Sequence, residues 1–95
     1  MKTYAPRKDA NDAPLTALAL HMGAYVIHME PGVGFDWLLF HRRQVRIVEI
    51  KDGAKSPSRR QLTDTEETCQ SICLAHGVAY HIVENEQDLL DLLAT

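Results

Sequence analysis

The chain has 95 residues, of which 45% are hydrophobic and 24% are charged, and its formal net charge is −3. This length supports a single domain over residues 1–95, and the composition is that of an ordinary globular protein. No apolar run approaches the ~18 residues of a membrane span, and the polar N-terminal segment MKTYAPRKDAND contains no apolar signal core. We therefore expect a cytoplasmic protein with no membrane association.

The order of hydrophobic and turn-forming segments predicts seven elements. In chain order these are a helix within 9–22, strands at 24–29, 35–40 and 45–51, a helix from 63 to 76, a strand at 78–83 and a closing helix at 86–94. The order α-β-β-β-α-β-α predicts an α/β fold in which helices flank a central mixed sheet.

Both longer helices carry recognisable start signals. In the first helix, Asn11 or Asp12 can serve as the N-cap and Pro14 fits the first turn. In the second helix, Thr63 and Glu66 form the Ser/Thr-x-x-Glu pattern of a capping box. These signals fix where each helix begins in the predicted fold.

The second and third strands are separated by the short segment HRRQ, which predicts a hairpin. If the turn closes symmetrically about Arg42 and Arg43, the directly opposed residues are Phe40 and Val45, Leu38 and Ile47, and Asp36 and Glu49. Opposed residues project from the same face of a sheet, with Cβ atoms about 4.5–5.5 Å apart. Trp37 projects from the other face, where we expect it to pack in the core against a helix.

This register brings three charged residues together at the open end of the hairpin. Lys51 lies two positions after Glu49, so it shares the face of Asp36 and Glu49. Further along the same face, the register places apolar side chains that we expect to form core, namely Leu38, Phe40, Val45 and Ile47.

Two directly opposed carboxylates repel each other, so another group must offset the charge of Asp36 and Glu49. Lys51 is one candidate, in a simple charge triad at a solvated strand end. A divalent cation such as Mg²⁺ is the other, because it is commonly held by one or two carboxylates. Carboxylates, a metal and a nearby lysine are suited to phosphodiester hydrolysis, since the metal polarises the phosphate and activates water. The spacing alone leaves these alternatives open.

The motif and its context resemble a known nuclease family. An aspartate followed thirteen residues later by Glu-x-Lys, on a hairpin within an α-β-β-β-α-β order, is similar to the PD-(D/E)XK superfamily with its restriction-endonuclease-like core. The closer resemblance is to VRR-NUC domains, especially the stand-alone type of phages and prophages. It covers nearly the whole chain and is carried by DANDAPLTALALHMGAYVI, by GVGFDWLLFHRRQVRIVEIKDGAKSPS and by LTDTEE.

The resemblance implies roles for individual residues. Asp36, Glu49 and the backbone carbonyl of Ile50 would bind Mg²⁺ or Mn²⁺, and Lys51 would assist the attacking water. Glu66 lies where the family often has Gln, so it is either catalytic or only a helix cap.

The first helix departs from the family pattern. Many members carry a Glu there, but Pro14 occupies that position in this chain. Asp12 or Asn11 could take the place of that acid, or the contact could be missing.

Basic residues are concentrated in the middle of the chain. Seven of the ten Lys and Arg residues lie between Arg42 and Arg60, and seven acids but no Lys or Arg follow Arg60. Lys55, Arg59 and Arg60 belong to the loop after the proposed site, where cationic side chains can contact DNA phosphates.

The expected function is therefore that of a metal-dependent DNA endonuclease. The resemblance and the small size suggest a homodimer that cleaves branched DNA such as a Holliday junction. One alternative is a non-catalytic phage accessory factor on the same fold that binds DNA or a host protein. The other is a structural α/β domain with a salt-bridged hairpin end.

Overall fold

In a computed structural model, residues 10–95 are described, and they form three α-helices and four strands. The elements are α1 (Asp12–His21), β1 (Tyr25–His28), β2 (Trp37–His41), β3 (Gln44–Ile50), a 3-10 turn (Pro57–Arg60), α2 (Asp64–Ala75), β4 (Tyr80–Val83) and α3 (Glu86–Leu93). The predicted order is confirmed, and no element end shifts by more than three residues. The predicted helix start at position 9 lies outside the described residues.

The four strands form one mixed sheet in the order β1-β2-β3-β4. The first two pairings are antiparallel, and β3 pairs with β4 in parallel after a crossover through α2. A parallel pair requires such a crossover because the chain must return to the same end of the sheet. The predicted α/β class and the α-β-β-β-α-β order are thereby confirmed. Within residues 10–95, none of the helices has the length and apolar character needed to cross a membrane.

The register of the central hairpin agrees with the prediction. Phe40 pairs with Val45 and Leu38 pairs with Ile47, while Trp37 pairs with Val48. Asp36 lies one residue before this ladder, and its backbone N–H donates to the carbonyl of Val48 at 3.0 Å. The hydrogen bonding between β2 and β3 thus extends to Asp36, which lies beside the end of β3.

The main core lies on the sheet face that is covered by α1 and α3. Trp37, Leu39 and Val48 are each 0% exposed there, and Ile50 is 1% exposed. They pack with residues of both helices and of the outer strands, including Leu15, Ala19, Val26, Val83, Leu89 and Leu93. The predicted burial of Trp37 is confirmed.

The expectation that Leu38, Phe40, Val45 and Ile47 form core is wrong. Val45 is 57% exposed, and the other three side chains are only partly buried. The reason is that two helices cover the opposite face, whereas α2 is the helix nearest this face and contacts mainly β4. Strand alternation correctly divided the residues into two sets, but it does not specify which set the helices bury.

A matched pair of substitutions on β3 tests this assignment of the core face. Val48→Thr places a hydroxyl in a fully buried position, so we expect the free energy of unfolding to fall by about 1–3 kcal/mol. Val45→Thr makes the same change at an exposed position and should alter stability by less than about 0.5 kcal/mol. Urea denaturation of both variants measures the difference, and a larger loss at Val45 would contradict the assignment.

Candidate active site

The alternation of β3 places core residues and a charged residue side by side. Val48 and Ile50 enter the core, so Glu49 between them projects from the opposite face. Glu49 is nevertheless only 2% exposed. It lines a cleft together with Asp36, Glu66 and Asp12, at the end of the sheet where β2 begins. The predicted meeting of Asp36 with Glu49 is therefore present.

Asp36 is fixed by the backbone of β3. The N–H of Ile50 donates to Asp36 Oδ2 at 2.7 Å, whereas the N–H of Lys51 donates to the carbonyl of Val83 on β4 at 3.0 Å. The N–H and C=O of one strand residue are directed to the same side, and successive residues alternate between sides. The carbonyl of Ile50 therefore lies on the edge of β3 that faces Asp36. The expected metal site requires this position, because it uses that carbonyl together with Asp36.

Lys51 links the strand to the first turn of α2. Its Nζ donates to Glu66 Oε1 at 2.8 Å and lies 3.4 Å from Glu49 Oε2. The same Oε1 accepts the N–H of Thr63 at 2.9 Å, while the N–H of Glu66 donates to Thr63 Oγ1 at 3.2 Å. Glu66 is thus both a capping-box residue and a partner of the site lysine. The sequence left a catalytic role and a capping role as alternatives; the capping box is confirmed, and the catalytic role stays a prediction.

The pKa values reflect crowding of three carboxylates around one ammonium. Burial, followed by the charges of Asp36 and Glu66, raises the pKa of Glu49 to about 9. Burial also raises the pKa of Asp36, although the hydrogen bond from Ile50 opposes this shift. Burial alone would lower the pKa of Lys51, but its contacts with Glu66 and Glu49 raise it overall. Glu49 without a bound cation is therefore a protonated acid at neutral pH.

The hydrogen-bonding state of Glu49 bears on whether a metal fits. Glu49 Oε1 is buried and accepts no hydrogen bond from any described residue, and an unpartnered buried oxygen is costly. No three His, Cys, Asp or Glu side chains in residues 10–95 are arranged as a complete ligand set. Mg²⁺ does not need such a set, because it commonly uses one or two carboxylates and retains several waters. Asp36, Glu49 and the Ile50 carbonyl fit that requirement.

The two candidates for the first-helix acid have different environments. Asp12 is 4% exposed and lines the cleft. Its carboxylate accepts a hydrogen bond from Trp37 Nε1 at 3.0 Å and lies 3.1 Å from His28 Nε2 and 3.2 Å from Thr16 Oγ1. It is thus held by three neighbours beside Asp36.

Asn11 occupies the N-cap position of α1 but does not cap it with its side chain. Its Nδ2 donates instead to the carbonyls of Lys51 at 2.9 Å and Glu84 at 3.1 Å. Asn11 therefore ties α1 to the chain just beyond β3 and β4. The sequence analysis did not anticipate this role, and it also did not connect His28 with the cleft. Pairing of β1 with β2, which sets His28 opposite Trp37, was the available signal for His28.

The three basic residues assigned to DNA binding differ in their surroundings. Arg60 donates to Glu84 Oε2 at 3.1 Å and is partly buried, so its guanidinium is engaged within the fold. Lys55 and Arg59 are exposed. None of the three lines the cleft that contains Asp36. These three residues lie in the loop between β3 and α2. The contact between Lys51 and Glu66 joins the two ends of that loop beside the site.

The arrangement as a whole can bind a hard cation and an anionic substrate. Two carboxylates and a carbonyl supply oxygen ligands, and the neighbouring ammonium can hold water or stabilise added negative charge. No family model, curated protein or solved structure matches this chain.

The raised pKa of Glu49 predicts a pH dependence of stability in the absence of metal. The unfolded chain loses this proton near the ordinary value of 4.5, but the folded protein retains it up to about pH 9. Between these values the unfolded state binds fewer protons, so the free energy of unfolding falls as pH rises. Glu49→Gln should remove this decline, which amounts to about 1–4 kcal/mol between pH 5 and pH 8.

Urea denaturation in EDTA at several pH values measures this effect. Glu67→Gln, at an exposed position in the first turn of α2, is the matched control and should retain the decline. Parallel curves for wild type and Glu49→Gln would show that Glu49 is ionised in the folded protein.

Proposed function

We propose that the protein is a metal-dependent DNA endonuclease that hydrolyses phosphodiester bonds in the cytoplasm. The observation that carries this proposal is the buried Glu49 next to the partly buried Asp36 and beside Lys51. Burial and the neighbouring Asp36 make the ionised form of Glu49 costly without a cation, and Glu49 Oε1 accepts no hydrogen bond from the described residues. Bound Mg²⁺ or Mn²⁺ would favour the ionised form of both carboxylates and would offset their repulsion.

The side chains then divide into two roles. Asp36, Glu49 and the Ile50 carbonyl would hold the cation, which when bound would polarise the phosphate and activate water. Lys51 Nζ lies beside Glu49 and orients the attacking water or stabilises the charge that develops on the phosphate. Glu66 fixes the position of Lys51 through the 2.8 Å hydrogen bond. The water oxygen would attack phosphorus and lose a proton to solvent, and the bond to the leaving sugar oxygen would break as that oxygen takes up a proton from solvent.

DNA is the proposed substrate because cationic side chains accompany the site. Lys55 and Arg59 are exposed in the loop that leaves β3 and returns to α2. Phosphate contacts of this type give sequence-independent affinity. Branched DNA such as a Holliday junction is the proposed structure, and it requires two sites in one particle.

A homodimer would supply the second site. The face of the sheet opposite α1 and α3 leaves apolar side chains exposed, including Tyr25 at 62% and Val45 at 57%. Such a surface is suited to burial against a second copy. Sedimentation equilibrium measures the association, and a monomer at all concentrations would remove this part of the proposal.

A non-catalytic DNA- or protein-binding factor on the same fold is the second candidate. The contacts of Asp12 favour it, because three neighbouring groups already engage that carboxylate. Glu66 in the same cleft is already bonded to Lys51, and Asp36 and Glu49 are the pair proposed to hold metal. Cleavage assays separate the two candidates directly.

The first cleavage test compares wild type with Asp36→Asn and Lys51→Ala. Branched, linear duplex and single-stranded DNA are incubated with Mg²⁺, with Mn²⁺ and with EDTA. We expect metal-dependent cleavage by wild type and a loss of about 100-fold or more in each variant, because a ligand or a charge-stabilising group is removed. Glu67→Gln is the control and should cleave normally. Absence of cleavage on all three substrates would exclude the endonuclease.

Glu66→Gln separates the two contacts of Glu66 in the same assay. Gln also completes a capping box, so the helix start is preserved and stability should change by less than about 1 kcal/mol. The charge that holds Lys51 is lost, so the cleavage rate should fall by about tenfold. Thr63→Ala is the opposite control, since it removes the cap but retains the contact between Lys51 and Glu66. A normal cleavage rate of the Glu66→Gln variant would show that Glu66 has only a structural role.

A further inference from the structure

The turn between β2 and β3 has an unusual backbone for its residues. His41 pairs with Gln44, so Arg42 and Arg43 are the two central residues of a hairpin turn. Their φ angles are 49° and 65°, and both side chains are exposed. Two positive φ values define the type I′ turn, whose twist matches that of the strands. Asn-Gly is the preferred pair for this turn, because other L-residues crowd their own backbone there.

Two features of this turn lower the stability of the fold. Both arginines adopt the left-handed conformation, and two cationic side chains stand next to each other without an intervening acid. Within residues 10–95, neither side chain forms an ion pair or a hydrogen bond that would offset these costs. The two guanidinium groups therefore gain nothing measurable from the rest of the described fold. A binding partner of negative charge would supply the contacts that the fold does not.

The position of the turn indicates how such a partner would lie. Six residues of extended chain separate Arg42 from Asp36, which corresponds to roughly 20 Å. Half a turn of duplex DNA is about 17 Å long, so a duplex lying along the hairpin would span both points. Arg46, on β3 near the turn, donates instead to the Thr95 carbonyl at 3.2 Å and to Thr95 Oγ1 at 2.9 Å. The two turn arginines are thus the groups at this end of the hairpin that remain available.

We propose that Arg42 and Arg43 form a phosphate-binding tip that grips duplex DNA about half a helical turn from the cleaved bond. This inference rests on the proposed function for its partner, but it concerns binding and does not depend on cleavage. The guanidinium group is planar and offers several donors to phosphate oxygens. The strained backbone holds the two groups at the outermost point of the hairpin, where no other part of the described chain covers them.

The double variant Arg42→Asn with Arg43→Gly tests the proposal, because it should change stability and binding in opposite directions. It supplies the preferred turn residues, so the thermal midpoint should rise by about 4 °C or more. It also removes two phosphate contacts, so the slope of log K against log salt should fall in magnitude by about 1–2. Fluorescence anisotropy with a labelled duplex of about three helical turns, in EDTA, measures binding without cleavage.

The control is Arg42→Lys with Arg43→Lys, which retains the charge and the strained backbone and should retain the wild-type salt slope. An unchanged affinity and slope in the Asn-Gly variant would overturn the tip while leaving the endonuclease intact. A weakened slope together with a wild type that cleaves no DNA would support the tip and exclude the endonuclease. Wild type that does not bind the duplex at all would overturn the tip, and the cleavage assay alone would then decide on the endonuclease.

Discussion

Three carboxylates and one ammonium meet at the end of the sheet, and this imbalance of charge is the constraint on which the rest of the structure depends. Glu49 is 2% exposed and is crowded by Asp36 and Glu66. Burial is the largest cause of the raised pKa of Glu49, the charges of Asp36 and Glu66 add to it, and Lys51 offsets only part of the shift. Without a cation, the proton held by Glu49 reduces the excess negative charge of the site, and a cation bound there would replace that proton.

The fold is organised so that this cluster can exist beside a packed core. Strand β3 buries Val48 and Ile50 against α1 and α3, and it presents Glu49 on the other face. The capping box that starts α2 also places Glu66 against Lys51. The hydrogen bonds that begin the helix therefore position the site lysine. The side chain of Asn11 holds α1 to the chain at Lys51 and Glu84 in a similar way.

The sequence predicts the local parts of this arrangement well. Alternation along two strands and the symmetry of a short turn were sufficient to bring Asp36 toward Glu49 and Lys51, because hairpin register is a local property. The capping box of α2 was also predicted correctly from the sequence. The face covered by helices was predicted wrongly, as Val45 shows, because the packing of α1 and α3 depends on contacts between distant segments. The contacts of Asn11 and of Asp12 with His28 depend on the same tertiary packing, so residue spacing could not reveal them.

The central claim is that Asp36 and Glu49 form a cation site, and the anomalous diffraction of Mn²⁺ tests it most directly. Crystals soaked in Mn²⁺ should show an anomalous peak about 2.0–2.4 Å from oxygens of Asp36, Glu49 and the Ile50 carbonyl. The same peak should disappear in crystals of Asp36→Asn. A peak elsewhere, or no peak while Glu49 remains beside Lys51, would contradict the account.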